Sequence, residues 1–263
     1  MGAWYVLGMV VYAFALVWSG FSFTQWRRLS PRAGYGLFLA AFALMTVVFL
    51  GRLASLRDAA DYSRGDLALF IAWLMLTVTV AMGRGSASSP VSLVLNAVGF
   101  GLALVAGGLQ SQSQVPFLSA SSLLALHVAL AVLGDTAFAF SFSFALMHLA
   151  LDARLRRRLF DRWYLHLPSL ATLDSLALFM SATGAGLLFL AMITGCWWGE
   201  LVLHHWLLTW PKFRVTAFCL ILYISYLVWR MSRKAATRAM MLFQVICFVV
   251  VLTNLLFIGG RLP

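Results

Sequence analysis

The sequence predicts an all-α fold: a polytopic integral membrane helix bundle of about eight transmembrane helices, with both termini outside. Three observations carry this reading. Hydrophobic residues make up 63% of the 263 residues and charged residues only 10%. Soluble globular chains run at roughly 45–50% apolar and 25% charged. The apolar residues also fall into eight runs, each near the ~20 helical residues needed to cross ~30 Å of hydrocarbon. The basic residues, finally, are divided unequally between alternate loops.

The eight runs lie at 4–25, 34–51, 67–83, 90–108, 120–150, 175–197, 213–231 and 239–259. The first is read as a span and not as a cleaved signal. No basic residue precedes it, and Arg27, Arg28 and Arg32 follow it, which favours an outside N-terminus. In the fifth run, Phe138, Phe140, Phe142 and Phe144 alternate with small residues in the manner of a strand. A strand is rejected there, because an open strand in lipid leaves its backbone groups unpaired. With the N-terminus outside, the inner loops hold Arg27, Arg28, Arg32, Arg84, Arg154, Arg156, Arg157, Arg158, Arg162, Arg230, Arg233, Lys234 and Arg238. The outer segments keep Arg52, Arg57, Arg64, Lys212, Arg214 and Arg261. Thirteen of nineteen basic residues inside is the imbalance that fixes orientation during insertion.

All the intervening loops are short, the longest being 52–66, 109–119, 152–174 and 198–212. The chain is therefore read as a single transmembrane domain, 1–263, and any chemistry must occur within the bundle or at its faces. This composition excludes a soluble enzyme, a nucleic-acid-binding domain, a disulfide scaffold and a disordered chain. The net charge of +11 follows from topology and contact with anionic lipid, without a nucleic-acid partner. Cys196, Cys219 and Cys247 are scattered and form no CxxC, so a dithiol relay lacks its motif.

Polar residues within or beside the spans carry the functional information. His127 is near the outer end of the fifth span, and His204 and His205 fall in the outer segment between spans six and seven. That segment holds Trp197, Trp198, Trp206 and Trp210, four tryptophans within fourteen residues. An aromatic belt at headgroup depth accounts for such residues. So does an apolar platform with imidazole ligands beside it, which is what haem requires. His127, His204 and His205 are accordingly the iron-ligand candidates. His127 and His148 are 21 residues apart in one helix, about 31 Å along its axis, and cannot share one iron. Neither has a second intramembrane histidine to face it, which argues against a di-haem transmembrane cytochrome. Asp135 is the one acid well inside a span and marks an intramembrane polar site, functional or structural. Arg52, at the outer end of span two, either snorkels or pairs with an anion such as a haem propionate. Asp174 opens span six, where an acid suits the helix N-terminus.

Three stretches carry a family resemblance. The first is Leu126-His127-Val128, leading into a long, small-residue-rich helix. The second is Leu167-Pro168-Ser169-Leu170-Ala171-Thr172-Leu173-Asp174, with the span that follows it ending Ile193-Thr194-Gly195. The third is Trp197-Trp198-Gly199-Glu200 through Trp210-Pro211-Lys212, followed by Tyr223-Ile224-Ser225-Tyr226-Leu227-Val228-Trp229-Arg230. In order and spacing these resemble the cytochrome c assembly protein family over roughly residues 65–260, after an N-terminal pair of helices at 1–64. The family includes CcsA-type and CcmC-type haem handlers and the shorter HemX/YpjD-type inner-membrane proteins, and the last fit best in size. The resemblance implies a tryptophan-rich external segment that binds haem, with flanking external histidines on its iron. His127 matches the first of these histidines. Trp197, Trp198 and Trp210 fall in the segment, and Pro211 and Lys212 match its end. The sequence departs from the pattern at three points. No acid stands between Trp210 and Pro211, Val228 stands where CcsA-type members carry a histidine, and the second flanking histidine is absent from the C-terminal stretch.

Two main readings follow. One is a non-enzymatic membrane protein of the bacterial inner membrane that binds or relays haem at the outer face for cytochrome c biogenesis, with other assembly components or apocytochrome as partners. The other is a structural or regulatory membrane subunit that keeps the fold and has lost the haem site. A transporter built around Asp135 and an intramembrane protease have less in the sequence behind them: no broken-helix repeat supports the first, and no activated nucleophile supports the second.

Overall fold

The computed structural model describes residues 3–24, 31–55, 61–62, 64–83, 89–109, 115–116, 122–158, 166–204, 210–233 and 236–257. Among them are eight α-helices: α1 (Ala3–Thr24), α2 (Pro31–Ser55), α3 (Arg64–Ala81), α4 (Pro90–Leu109), α5 (Ser122–Arg156), α6 (Leu170–Leu203), α7 (Pro211–Met231) and α8 (Arg238–Phe257). The only other regular structure among the described residues is a two-residue antiparallel pair, with Asp61 opposite Pro116 and Tyr62 opposite Val115. The predicted all-α membrane fold is the fold observed. Seven helices are long and apolar enough to cross a membrane, and α3, at 18 residues, has a shorter apolar stretch, Gly65–Ala81.

The chain divides into two compact units. Unit one comprises residues 1–116 and 153–168. Its helices α1–α4 pack in a closed ring, α1 on α2, α2 on α3, α3 on α4 and α4 back on α1. α3 supplies much of this core through Ala68, Leu69, Ile71, Ala72, Met75, Leu76 and Thr79, all buried. Asn96 holds the unit together. Its Nδ2 donates to Thr79 Oγ1 at 2.7 Å and to the Ser92 carbonyl at 2.8 Å, and Tyr12 Oη donates to its Oδ1 at 3.0 Å.

Unit two comprises residues 117–152 and 169–263. Here α5 and α6 run for 35 and 34 residues, about 50 Å each and well beyond the hydrocarbon thickness. Both exceed the predicted runs at 120–150 and 175–197. Ser169 caps α6 by accepting from the Thr172 amide, so the helix begins before Asp174. At its other end no proline intervenes before Pro211, and the helix continues through Trp197, Trp198 and Glu200 to Leu203. The expected loop at 198–212 therefore starts later.

α5 and α6 meet backbone to backbone at Gly134 and Gly184. A Cβ added to Gly134 would stand 3.3 Å from the Gly184 carbonyl oxygen, and one at Gly184 would stand 3.1 Å from that of Gly134. Small residues at a crossing permit such close approach in membranes. Phe138 of α5 fills the space beside Gly184 and stacks on Tyr223 of α7, with ring centroids 3.8 Å apart. Phe142 stacks on Phe248 of α8 at 4.5 Å. A polar node ties α5, α6 and α8 together: Ser141 Oγ donates to the Ala177 carbonyl at 2.6 Å, lies 2.7 Å from Ser181 Oγ, and accepts from Gln244 Nε2.

A candidate histidine site at the α5–α6 contact

His127 stands in the second turn of α5, partly buried against α6. Its Nδ1 lies 2.7 Å from the Ala191 carbonyl oxygen. A carbonyl only accepts, so the proton of the neutral ring is on Nδ1 and the Nε2 lone pair remains free. Gly195, one turn beyond Ala191, makes room for the ring: a Cβ there would lie 2.8 Å from both Cε1 and Nδ1 of His127. The Ala191 carbonyl also accepts from Thr194 Oγ1 at 3.0 Å. The imidazole is thus fixed in tautomer and orientation by a backbone that leaves it one coordinating nitrogen.

Trp198 shares this face of α6, since positions 191, 195 and 198 follow the i, i+4, i+7 spacing. Its indole Nε1 is buried and has no hydrogen-bond partner among the described residues. Trp197, one position away, faces outward and is 61% exposed. The two tryptophans expected to act together therefore stand on different faces of one helix. Trp210 is the N-cap of α7, partly buried, with Pro211 at the first helical position. Proline suits that position because its missing N–H has no acceptor there. His204 ends α6 as an exposed C-cap in the left-handed region, with φ 52°. It is nine residues past Gly195, about 14 Å farther along the axis. His205 and Trp206 lie outside the described residues.

Arg52 belongs to unit one and forms an ion pair with Asp66, Nε to Oδ1 3.8 Å. Asp135 is partly buried in α5, with Lys212, Cys219 and Tyr223 of α7 within electrostatic reach. Lys212 also acts on His127. Among the described residues no group of three or more His, Cys, Asp or Glu is arranged to hold a metal ion.

Asp174 differs from expectation. It lies in the second turn of α6, buried, and accepts from Arg230 of α7 through both carboxylate oxygens, Nε to Oδ1 at 2.8 Å and the second contact from Nη2. Its role is set by this charge partner and not by the helix terminus. Arg230, counted from sequence among the loop cations, is correspondingly buried. Val228 faces outward, 64% exposed, so this departure from the family pattern lies on the face of α7 opposite Tyr223 and Tyr226. The sequence had contained Gly195 in the Thr-Gly exit of the sixth span, but nothing tied it to a histidine 68 residues earlier.

A model of the family described as cytochrome c assembly protein matches residues 9–259. The chain belongs to the cytochrome c assembly protein family. The match takes in the first two helices as well as the later spans. Relatives include Protein HemX of Bacillus subtilis (strain 168), 24% identical over 257 residues, covering 96% of this chain and 92% of that protein. Protein HemX of Brevibacillus brevis is 25% identical over 255 residues, covering 96% and 93%. Among solved structures, the cytochrome c haem lyase CcmF superposes with a TM-score of 0.62 at 16% identity, covering 98% of this chain and 46% of that one. The chain thus spans less than half of CcmF's length and shares its fold. It is an integral membrane protein of a cytochrome c biogenesis-type family.

Proposed function

We propose that this protein binds or relays haem at the outer face of a bacterial inner membrane, serving cytochrome c biogenesis without bond-making chemistry of its own. The observation that carries the reading is the fixing of His127. Its Nδ1–H is held by the Ala191 carbonyl at 2.7 Å, which presents Nε2 as a ligand of set orientation. A porphyrin supplies four of iron's ligands itself, so one oriented imidazole suffices to hold it, whereas a bare ion needs three or four protein ligands. Bound haem would supply the iron centre that is to be carried or passed on. His127 Nε2 would hold the iron, and the Ala191 carbonyl, by holding Nδ1–H, would keep the ring neutral and raise its basicity. Trp198 offers a buried N–H in need of an acceptor, and Trp197 and Trp210 offer apolar surface nearby in sequence. His204 and His205 are the proposed sources of a second ligand.

The test is the absorption spectrum of detergent-purified protein, oxidised and reduced, with and without added haem. The expected result is a Soret band that His127→Ala weakens and His204→Ala with His205→Ala alters. Absence of a Soret band that stays with the protein once unbound haem has been removed overturns the proposal.

A further inference from the structure

The face of α7 turned into unit two carries a polar column that the histidine site does not use. Lys212, Cys219, Tyr223, Tyr226 and Arg230 recur at helical spacing along it, and Cys219, Tyr223, Tyr226 and Arg230 are buried. From Lys212 to Arg230 the rise is about 27 Å, close to the thickness of the hydrocarbon layer. Each level meets titratable groups on the neighbouring helices. Asp135 of α5 lies within electrostatic reach of Lys212, Cys219 and Tyr223. Cys247 of α8 is within electrostatic reach of Tyr223 and Tyr226. Asp174 of α6 and Arg230 are within electrostatic reach of Tyr226, and both also act on His148 of α5, together with Asp152. His127 is two turns from Asp135 on its own helix, with Lys212 near both.

The hydroxyls of Tyr223 and Tyr226, both residues fully buried, have no hydrogen-bond partner among the described residues; nor do His148 Nδ1 and Gln244 Oε1. Unpaired polar atoms in a lipid-enclosed core are costly, and small polar cavities meet that cost by holding bridging water. Intramembrane ionisable groups arranged in series are the makings of a proton relay.

We propose that His148, Tyr226 and Tyr223 form a one-sided proton route that runs from the α5 C-terminal face, which carries Arg154–Arg158, to the carboxyl of Asp135. A proton entering at His148 is passed by way of bridging water. Each phenol takes one proton and releases its own in the same step, so no tyrosinate accumulates. The net change is one proton lost from that face and one Asp135 carboxylate neutralised. The buried Asp174–Arg230 pair sits beside the entry as opposite charges. Lys212 closes the far end with a positive charge, which repels a proton arriving from the His127 side. The inference stands apart from haem binding and uses none of the residues assigned to it.

The test uses the full-length protein in right-side-out and inverted membrane vesicles, with dicyclohexylcarbodiimide as the probe. This reagent modifies a carboxyl only in its protonated form. The Asp135 adduct is quantified by mass spectrometry while the pH of one side is varied at constant pH on the other. The expected labelling rate follows the pH of the Arg154-bearing side, falling about tenfold per pH unit once the carboxyl is mainly ionised. Asp135→Asn abolishes the adduct. Tyr223→Phe with Tyr226→Phe keeps both rings and removes most of the response to pH. Labelling that follows the other side, a response unchanged in the double phenylalanine variant, or no Asp135 adduct at any pH would each overturn the proposal. The sidedness arm uses unmodified protein, so a variant that fails to fold does not remove the test.

Discussion

Replacing Gly195 by alanine tests whether the α6 backbone builds the His127 site. The new methyl carbon would stand 2.8 Å from Cε1 and Nδ1 of the imidazole, where ordinary contact begins at 3.4 Å. The ring must retreat by about 0.6 Å or more, and its bond to the Ala191 carbonyl is only 2.7 Å long. Overpacking of this kind costs about 1–3 kcal/mol, and loss of the hydrogen bond adds about 1 kcal/mol. Against this, alanine gains about 0.5–1 kcal/mol over glycine in a helix interior. The net expectation is destabilisation of about 1–3 kcal/mol. Gly186, on the same helix, is the control, since a Cβ there meets nothing within 4 Å; Gly186→Ala should be neutral or stabilising by about 0.5–1 kcal/mol. Both variants are compared by thermal unfolding in detergent and by haem titration. Loss of the partner that orients a metal-ligating imidazole weakens metal binding about 10–100-fold, so Gly195→Ala should approach His127→Ala in the titration. If Gly195→Ala and Gly186→Ala behave alike in both assays, the reasoning is wrong.

Three further outcomes are expected. Asp174→Asn and Arg230→Met each leave half of a buried ion pair and should destabilise by about 3–5 kcal/mol, while the double replacement should recover much of the loss; a thermodynamic cycle in detergent measures the coupling. Ser141→Ala removes a hydroxyl that serves Ala177, Ser181 and Gln244, and should lower stability by about 1–3 kcal/mol in the same unfolding assay. Asn96→Leu removes the side-chain bonds to Thr79, Ser92 and Tyr12 and leaves Tyr12 only the residue's backbone carbonyl, and should cost more than Tyr12→Phe, which leaves the Asn96 contacts to Thr79 and Ser92 in place; the order of the two midpoints decides.

The spans were legible in the sequence because lipid imposes one rule on every crossing segment: a long apolar run with its backbone paired internally. The same rule misplaced the ends of α5 and α6. It counts apolar residues and has no means of seeing a helix that continues past the hydrocarbon, as α6 does through Trp197 and Trp198. His127 was visible as a lone imidazole near a span terminus. Its acceptor is a backbone carbonyl on another helix, and a carbonyl has no letter in the sequence. Gly195 was visible as part of an exit motif, but its missing side chain acquires meaning only when an imidazole occupies the space. Asp174 and Arg230 were read separately, one as a helix-start acid and the other as a loop cation, because a partner 56 residues away in sequence follows from tertiary packing alone. Tyr223 and Tyr226 entered only as letters in the third resembling stretch, since only burial reveals that their hydroxyls lack partners.

The glycine contact between α5 and α6 has a mechanical consequence. Backbones pressed together at Gly134 and Gly184 act as a fulcrum for two stiff rods. His127 is seven residues from that point, about 10 Å, whereas Asp152 is eighteen residues away on the other arm, about 27 Å. A rocking motion that parts the far ends by about 2 Å moves the helices at His127 by only about 0.8 Å, in proportion to the arms. The short arm keeps the imidazole seated on its carbonyl, while on the long arm any parting of the helices is resisted by the Ser141 bonds to Ala177 and Ser181.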